Sequence, residues 1–484
     1  MLGHQKEAFM SIARELSEAA LNIRYDNLPT EVIRETKRLI LDALSCAIGA
    51  FDAEPCRICR EVAREHGGAG VATLIGERDK VSVSQAIIAN ETMVRYLDFN
   101  DVLYFPKSPG KIGGAHPSDA LPAALAVGER EHASGREVIA ALVAAYETIG
   151  RIVDATAEGI TPMGFHHGSV MPFAGAVIAG RLLGHDAGQM TNAMGIGASA
   201  AIGLGINDAE GEEYNNTKNI ADGLMAERGV FAAYLARRGF TGPERIIEGN
   251  KGFAHSLLRG VENYIVKPLP NDYYLMRTKM KFFPTESTNQ GHLAATTLLV
   301  TEHGLKPDDI AEVVLRMSKR TVVHNGDPVK KYPRNKEGAD HSAYFMTALA
   351  IVTGGCVVPS SFSDAAYADP VIHGLIEKVQ LEHGPEYDAI TPAALVTIRT
   401  TDGRVLAKRV DHPRGTPENR MSDSELRDKF VECAGERMPS DQIDQVVETC
   451  LALDALDDIG GLMPLLVVDS NIRIPVRRAD WISR

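Results

Sequence analysis

The sequence has 484 residues, more than one compact hydrophobic core normally accommodates, so two domains are expected. Hydrophobic residues make up 44% and charged residues 24%, the balance of an ordinary globular protein rather than of a disordered or fibrous one. The net charge of −13 argues against nucleic acid or an anionic membrane as a partner. An anionic small substrate remains compatible with it, provided that local cations build the pocket.

The start of the chain, MLGHQKEAFMSIARELSEAALNI, lacks the basic and apolar segments of a signal peptide, and no apolar run approaches the roughly 18 residues of a membrane span. Six mostly isolated cysteines do not form a disulfide framework. We therefore expect a cytoplasmic protein. The lone C-x-x-C pair, Cys56 and Cys59, lacks the further ligands of a zinc site, so we interpret it as part of an amphipathic helix.

Up to about residue 265 the pattern is helical almost throughout. Segments 29–50 and 134–155 carry apolar residues at three-and-four spacing behind Pro-Thr and Ser-Gly-Arg-Glu starts. Segment 172–205 is rich in Ala and Gly, which allows helices to approach closely. Its GIGASA stretch, Gly195 to Ala200, matches G-x-G-x-x-A but follows no strand, so we reject a dinucleotide site there.

Residues from about 270 to 405 change character. Segment 310–325, IAEVVLRMSKRTVVHN, is predicted to be extended because it is rich in β-branched residues. Segment 393–412 reads as a hairpin around Asp402-Gly403. Helical patterns lie between these strands and return after residue 420, so this part is predicted to be α+β and the tail to pack on the first domain.

Two stretches place titratable residues in unusual settings. In RYLDFNDVLYFPKSPGKIGGAHPSD, Asp98 and Asp101 lie among aromatic and apolar residues, and His116 follows a Pro/Gly loop. In GFHHGS, the doublet of His166 and His167 precedes a helix start, where free N–H groups favour anions. Adjacent histidines on a loop are poorly placed to chelate one metal ion.

Two lysines also stand out. Lys218, in NNTKN, lies near the start of a helix, the end that repels a cation, so a bound anion or a structural carboxylate would explain it. Lys281 lies beside two phenylalanines and a proline, with Glu286 following. Such a charged pair either lines a cleft or lies on the surface.

The chain resembles the MmgE/PrpD family in five segments that occur in the family's order: LDFND…HPSD, GFHHGS, NNTKNIADGLMAERGVFAAYLARRGFTGPERIIEG, KFFPTESTNQ and YPRNKEGADHS. That family includes 2-methylcitrate dehydratase, cis-aconitate decarboxylase and iminodisuccinate epimerase. The resemblance covers nearly the whole chain. It implies a mainly α fold, with a large, discontinuous all-helical domain (1–268 and 408–484) and an inserted, smaller α+β lid domain (269–407), and it implies a homodimer.

The resemblance also implies which residues form the pocket. The implied catalytic residues are Asp98, His116, His166, Lys218 and Lys281. The implied substrate-binding residues are Asn100, Asp101, Ser118, His167, Glu286 and Gln290. No metal ion and no other cofactor are implied.

Within the family, Glu286 and Gln290 fit the F-P-x-E-x-x-x-Q pattern of the dehydratase branch, and KEGADHS, which ends at His341, is also nearer to it. Val102 stands where many members have threonine, and the loop at 102–115 is longer than usual. Both departures affect which substrate is expected.

The implied activity is that of a cofactor-independent hydro-lyase, which dehydrates 2-methylcitrate or a related tricarboxylate, as in propionate metabolism, by removing a proton alpha to a carboxylate. Aconitase-type dehydration uses an iron–sulfur cluster held by several cysteines, and only two cysteines here are close in sequence, so we expect acid–base catalysis without a metal. The alternatives are a decarboxylase or an epimerase of a small polycarboxylate on the same scaffold, and a non-catalytic carboxylate-binding protein.

Overall fold

The computed structural model describes residues 10–107, 112–156, 159–257, 272–435 and 437–469. The fold is mainly α, as the sequence predicts. Across the described helices, none has both the length and the apolar composition needed to cross a membrane.

Helices dominate the part of the chain before residue 258. They are α1 (Ile12–Asn22), α2 (Thr30–Gly49), α3 (Glu54–His66), α4 (Val83–Tyr96), α5 (Leu121–Glu131), α6 (Gly135–Ala155), α7 (Met171–Leu182), α8 (Ala187–Ala200), α9 (Ala221–Ala236) and α10 (Phe253–Leu257). The predicted helices at 29–50 and 134–155 are confirmed. GIGASA lies in α8 and the C-x-x-C pair in α3, both as predicted.

Small residues let the central helices α7 and α9 lie against each other. A Cβ atom at Gly229 would lie 2.1 Å from the Pro172 carbonyl oxygen, and one at Gly175 would lie 2.2 Å from that of Ala226. Any larger side chain would therefore push these helices apart. The Ala/Gly-rich composition of 172–205 thus has the packing role that the sequence predicts.

Two short hairpins interrupt the helices: β1 (Ala72–Thr73) with β2 (Lys80–Val81), and β3 (Leu103–Pro106) with β4 (Ile112–Ala115). The prediction of a loop throughout 102–115 is therefore wrong at both ends, because these residues pair as antiparallel strands. The tip of that predicted loop, 108–111, lies outside the described residues. A backbone pair between Val102 and Lys279 extends the contacts of this segment to a distant part of the chain.

The second part carries short helices and a four-stranded sheet. The helices are α11 (Gln290–His303), α12 (Lys319–His324), α13 (Lys336–Ala339), α14 (Ala343–Val352), α15 (Asp364–Tyr367) and α16 (Pro370–Ile376). The strands are β5 (Ile310–Met317), β6 (Val379–His383), β7 (Ala394–Thr400) and β8 (Val405–Val410), in the order β6-β5-β7-β8. The predicted β7–β8 hairpin is confirmed, with Gly403 at φ +90° in its turn.

The extended segment predicted for 310–325 is correct only in its first half. Ser318 ends the strand because its hydroxyl oxygen accepts a hydrogen bond from the Thr321 N–H and caps α12. The β-branched residues that follow, Val322 and Val323, are helical, so the local cap outweighs their strand preference.

The chain ends with α17 (Asp423–Ala434) and α18 (Ser440–Leu451), and α17 begins with a capping box formed by Ser422 and Glu425. Both helices contact α2. The predicted domain boundary at 268/269 lies outside the described residues, and the two-domain division stays a prediction.

Candidate active site

A cavity lined by side chains from both parts of the chain contains several buried charged groups, among them Arg95, Asp98 and Lys281. It encloses about 580 Å³ of space, counting its open mouth. Among the predicted catalytic residues, Asp98, His116 and Lys281 line it. Among the predicted substrate contacts, His167 and Glu286 do so.

Asp98 is the centre of this cavity. It follows the end of α4 with φ +47°, a left-handed conformation that Asp tolerates better than most residues. The Lys281 ammonium donates to Asp98 Oδ1 (2.6 Å) and to the Asp98 carbonyl oxygen (2.9 Å). Arg95, on the last turn of α4, donates to the same Oδ1 (2.7 Å).

The other carboxylate oxygen of Asp98, Oδ2, accepts no hydrogen bond from a described residue. Its neighbours are Lys218 Nζ at 3.9 Å and His341 Nε2 at 3.5 Å. Burial alone would raise the pKa of Asp98, but the Lys218 and Lys281 charges hold it well below its usual range. Asp98 is therefore ionised at neutral pH and acts as a counter-charge to the lysines.

His116 combines an oriented ring with a free nitrogen. Its Nδ1 lies 2.6 Å from the Asp101 carbonyl oxygen, which only accepts, so we assign the proton to Nδ1 and a lone pair to Nε2. Burial and the Arg95 charge lower the pKa of His116 well below its usual value. The ring is therefore neutral at neutral pH, and its Nε2 can accept a proton.

His166 and His167 lie beside this ring as a stack backed by Asp222. The ring centroids of His116 and His167 are 5.2 Å apart, and those of His166 and His167 are 4.0 Å apart. Asp222 Oδ2 lies 3.8 Å from His166 Nδ1 and 3.6 Å from His167 Nε2. His166 Nδ1 accepts from the Gly168 N–H (3.2 Å). His166 does not line the cavity, and its catalytic role stays a prediction.

Three predicted substrate contacts also lie behind the wall. Asn100 Nδ2 donates to Ser118 Oγ (3.0 Å) and to Asp119 Oδ1 (2.8 Å). The Asp101 carboxylate accepts from the Ser118 N–H (3.0 Å) and from the Tyr146 hydroxyl (2.7 Å). These bonds fix the turn that carries His116, and a direct substrate contact for Asn100, Asp101 or Ser118 stays a prediction.

Glu286 and Gln290 have their polar atoms largely occupied. Glu286 Oε2 accepts from the Thr288 N–H (2.7 Å) and from Asn325 Nδ2 (2.7 Å). Gln290 accepts from the N–H groups of Phe282 and Phe283 (both 3.1 Å) and donates to the Phe283 carbonyl (2.8 Å). Gln290 therefore holds the turn next to Lys281 and is absent from the cavity wall.

The lining residues that were not among the predicted site residues include four with charged or imidazole side chains: Arg95, Asp208, Arg320 and His341. A signal existed for Arg95, which lies one helical turn before Asp98. His341 belongs to a segment that carries the family resemblance, and its Nδ1 contacts the Asp340 carboxylate. No local pattern marks Asp208 or Arg320, which only tertiary packing brings to the cavity.

Several groups of side chains at or next to the cavity have the donor atoms of a metal site. His166, His167 and Asp222 form one group, in spite of the expectation that adjacent histidines are poorly placed to chelate, and Asp98, Asp340 and His341 form another. Asp208, His324 and His341 offer ligand atoms within 4.8 Å of one another. Burial and the Arg320 charge lower the pKa of His324 to about 4, so this ring is neutral and able to ligate. The cations Arg320 and Lys330 close by oppose a divalent ion, so the donor set fits a metal only partly.

A buried carboxyl cluster lies behind the histidine stack. Glu91, Asp119 and Asp222 offer oxygens within 4.8 Å of one another, and neither carboxyl oxygen of Glu91 has a hydrogen-bond partner among the described residues. Burial and the neighbouring charge of Asp119 raise the pKa of Glu91 well above its usual value. Burial and Asp222 raise the pKa of Asp119 as well.

This cluster predicts a specific pH dependence of stability. A carboxyl group whose pKa is higher in the folded state than in the unfolded state costs stability once the pH exceeds its unfolded pKa. The thermal midpoint of wild type should therefore decrease relative to that of Glu91→Gln, which carries no charge at this position, as the pH is raised from about 5 to about 8. Melting curves across this range, with exposed Glu65→Gln as the control, test it; equal slopes for Glu91→Gln and wild type would contradict it.

Comparison with known proteins adds the following. Residues 14–264 match the MmgE/PrpD N-terminal domain, and residues 283–453 match the MmgE/PrpD C-terminal domain. Cis-aconitate decarboxylase of Homo sapiens is 26% identical over 479 residues, covering 94% of each chain. Cis-aconitate decarboxylase of Mus musculus is 26% identical over 480 residues, covering 94% of this chain and 93% of its own. Cis-aconitate decarboxylase of Aspergillus terreus (strain NIH 2624 / FGSC A1156) is 24% identical over 481 residues, covering 94% of this chain and 96% of its own.

Proposed function

The chain belongs to the MmgE/PrpD family, and from this membership we propose that it is a lyase acting on a small polycarboxylate. One observation carries the proposal: the buried Asp98–Lys281 ion pair lies in the same cavity as a neutral His116 with an unprotonated Nε2. A base and cationic groups in one cavity are what proton removal next to a carboxylate requires.

The chemistry runs through these side chains. His116 Nε2 takes the proton from the carbon alpha to a carboxylate, and the electron pair left behind forms the new C=C bond as the C–O bond to the hydroxyl group breaks. The departing hydroxide takes a proton from an acid of the cavity such as the Lys281 ammonium. Lys281 and Lys218 stabilise the negative charge that develops on the substrate carboxylates.

Two finer assignments compete within this proposal. The first is dehydration of 2-methylcitrate or a related tricarboxylate, which the dehydratase-like pattern at Glu286 and Gln290 supports. The second is decarboxylation, favoured because the similar proteins are named cis-aconitate decarboxylases. In that reaction the bond to the leaving carboxylate breaks, carbon dioxide departs, and an acid of the cavity protonates the remaining carbanion.

Product analysis separates these reactions. Purified protein is incubated with 2-methylcitrate, citrate or cis-aconitate, and carbon dioxide, ultraviolet absorbance and optical rotation are followed. Dehydration yields an unsaturated, absorbing product without carbon dioxide, whereas decarboxylation releases it. A loss of optical rotation without a new ultraviolet-absorbing product would indicate an epimerase. Binding measured by calorimetry without any turnover would favour a carboxylate-binding protein and contradict the lyase proposal.

We also propose that 269–407 forms a lid over an all-helical domain made of 1–268 and 408–484. Support comes from the contacts of α17 and α18 with α2, and from the origin of the cavity residues. Asp98 and His116 come from the proposed helical domain, whereas Lys281 and His341 come from the proposed lid. Opening of such a lid would separate the Asp98–Lys281 pair.

Activity is expected to survive removal of metal ions. The proposed steps use nitrogen bases, ammonium groups and carboxylates, and cations border the possible ligands Asp208, His324 and His341. The check is to measure the rate before and after dialysis against EDTA, together with the metal content of the protein. A rate abolished by EDTA and restored by one metal would contradict this expectation and point to that group.

A homodimer is expected through an apolar surface next to α9. Leu224 (43% exposed) and Phe231 (48% exposed) lie two turns apart on α9. Leu204 (66% exposed) belongs to a segment that adjoins α9, since a Cβ at Gly203 would lie 3.1 Å from Met225 Cε. Light scattering at micromolar concentration should give twice the chain mass for wild type, and the double variant Leu204→Glu/Phe231→Glu should be monomeric; a monomeric wild type would contradict the prediction.

A further inference from the structure

The ammonium group of Lys429, a residue of α17, lies between the two backbone segments that carry Asp98 and Lys281. Its side chain is fully buried. The ammonium donates to the carbonyl oxygens of Phe99 (2.7 Å) and Lys281 (2.9 Å) and to Asp42 Oδ1 (2.6 Å). Phe99 directly follows Asp98. One ammonium group therefore binds the backbone next to Asp98 and the backbone of Lys281 itself.

An aromatic ring and a carboxylate surround this ammonium group. The Phe99 ring lies 3.6 Å from it, measured to the ring centroid, and the negative face of the ring attracts the cation. Asp42, on α2, supplies the opposite charge, although burial raises its pKa. Burying such an ion pair rarely stabilises a protein compared with apolar side chains of the same volume. Stability alone therefore does not explain a lysine here.

Lys429 joins two backbone segments that are far apart in the sequence. Asp98 and Lys281 are 183 residues apart in the chain. The paired backbones of Val102 and Lys279 hold one side of the junction (2.9 and 2.8 Å), and Lys429 holds the other. A small shift of either segment would change the 2.6 Å contact between Lys281 Nζ and Asp98 Oδ1.

We propose that Lys429 is a positioning residue, which sets the distance between Asp98 and Lys281 from outside the cavity. This inference rests on the proposed function, because it assigns the positioned pair to substrate chemistry. Lys429 itself does not line the cavity, so it acts only through the two backbone segments.

The test combines kinetics with a crystal structure of Lys429→Met. Removing the ammonium should lower kcat by about ten- to a hundredfold in protein that remains folded at the assay temperature, since small misplacements in an active site have effects of this size. Crystal structures of wild type and of the variant should show a longer Lys281 Nζ to Asp98 Oδ1 distance in the variant. The double variant Lys429→Met/Lys281→Met should be no slower than Lys281→Met alone, because both changes act on the same Asp98–Lys281 ion pair.

Two further variants keep the test decisive. Asp42→Asn/Lys429→Met removes the same donor without leaving a buried carboxylate unpaired, so it should fold if Lys429→Met does not. Glu129→Gln disturbs a remote buried group, bound to the Thr73 N–H at 2.7 Å, and should lower the melting temperature without changing kcat.

Each outcome bears on one claim. An unchanged Asp98–Lys281 distance, or a loss of rate that matches only the unfolded fraction, would overturn the positioning role. Independent, multiplying losses in Lys429→Met/Lys281→Met would overturn it too. A wild type that transforms no polycarboxylate would instead overturn the proposed function, while the crystal distance would still report on Lys429.

Discussion

Replacing His116 with glutamine is expected to lower kcat about 10²- to 10⁴-fold with little change in KM, because glutamine keeps the size and a hydrogen bond but cannot accept a proton. The assignment rests on geometry, with the Nδ1 proton bound to the Asp101 carbonyl and Nε2 left as the acceptor. Because burial and the Arg95 charge hold the pKa of His116 well below its usual value, the base form persists as the pH falls through 7. The rate should therefore show no loss near the usual histidine pKa that is attributable to this ring.

Steady-state kinetics from about pH 5 to about pH 9 check this prediction. His185→Gln is the matched control, since His185 is a buried histidine beyond the far end of α7. The control should retain the wild-type kcat. A His116→Gln protein with wild-type kcat would remove His116 from catalysis, and one that loses rate only with its melting temperature would make it structural.

Replacing Lys281 with methionine is expected to lower kcat/KM by about ten- to a hundredfold or more. Hydrogen bonds to charged groups are worth about 1.5–3 kcal/mol, and methionine preserves the approximate length of the side chain while removing the charge. Asp98 also loses its 2.6 Å partner. Arg95 still donates to it, so the unfolding free energy should fall by less than the roughly 3–5 kcal/mol of a fully broken buried pair.

Lys281→Arg separates charge from geometry. Arginine keeps the positive charge next to Asp98 but cannot reproduce the compact ammonium, so stability should recover more than activity. Both proteins are assayed below their melting temperatures, with thermal midpoints measured on the same samples. If Lys281→Met turned over substrate at the wild-type rate with an unchanged midpoint, Lys281 would not belong to the site.

The sequence predicts the helices well because their signals are local. Ser134 and Glu137 cap α6, and Asp402-Gly403 turns β7 into β8, as their residue types require. The prediction failed where a cap or a partner outweighed propensity. Ser318 starts a helix inside a β-branched run, and residues 103–106 find a strand partner in 112–115 rather than forming a loop.

The candidate site could be predicted only in part from the sequence. A motif indicates which residues belong to a site, but it does not show which neighbouring atoms their side chains bind. Gln290 fits a family pattern, yet its amide is bound to the backbone of Phe282 and Phe283. Asp208 belongs to no recognisable motif and reaches the cavity through tertiary packing. Lys429, in an ordinary amphipathic helix, gives no local sign that it contacts the backbone of Lys281.

Proton NMR in deuterated water tests the central claim most directly. Wild-type protein is incubated with citrate, 2-methylcitrate and cis-aconitate, and the carbon-bound protons next to the carboxylates are followed. We predict exchange or turnover of at least one of these compounds by the wild type, and a rate about 10²- to 10⁴-fold lower for His116→Gln. Tight binding of these compounds without exchange or turnover of any of them would contradict the account.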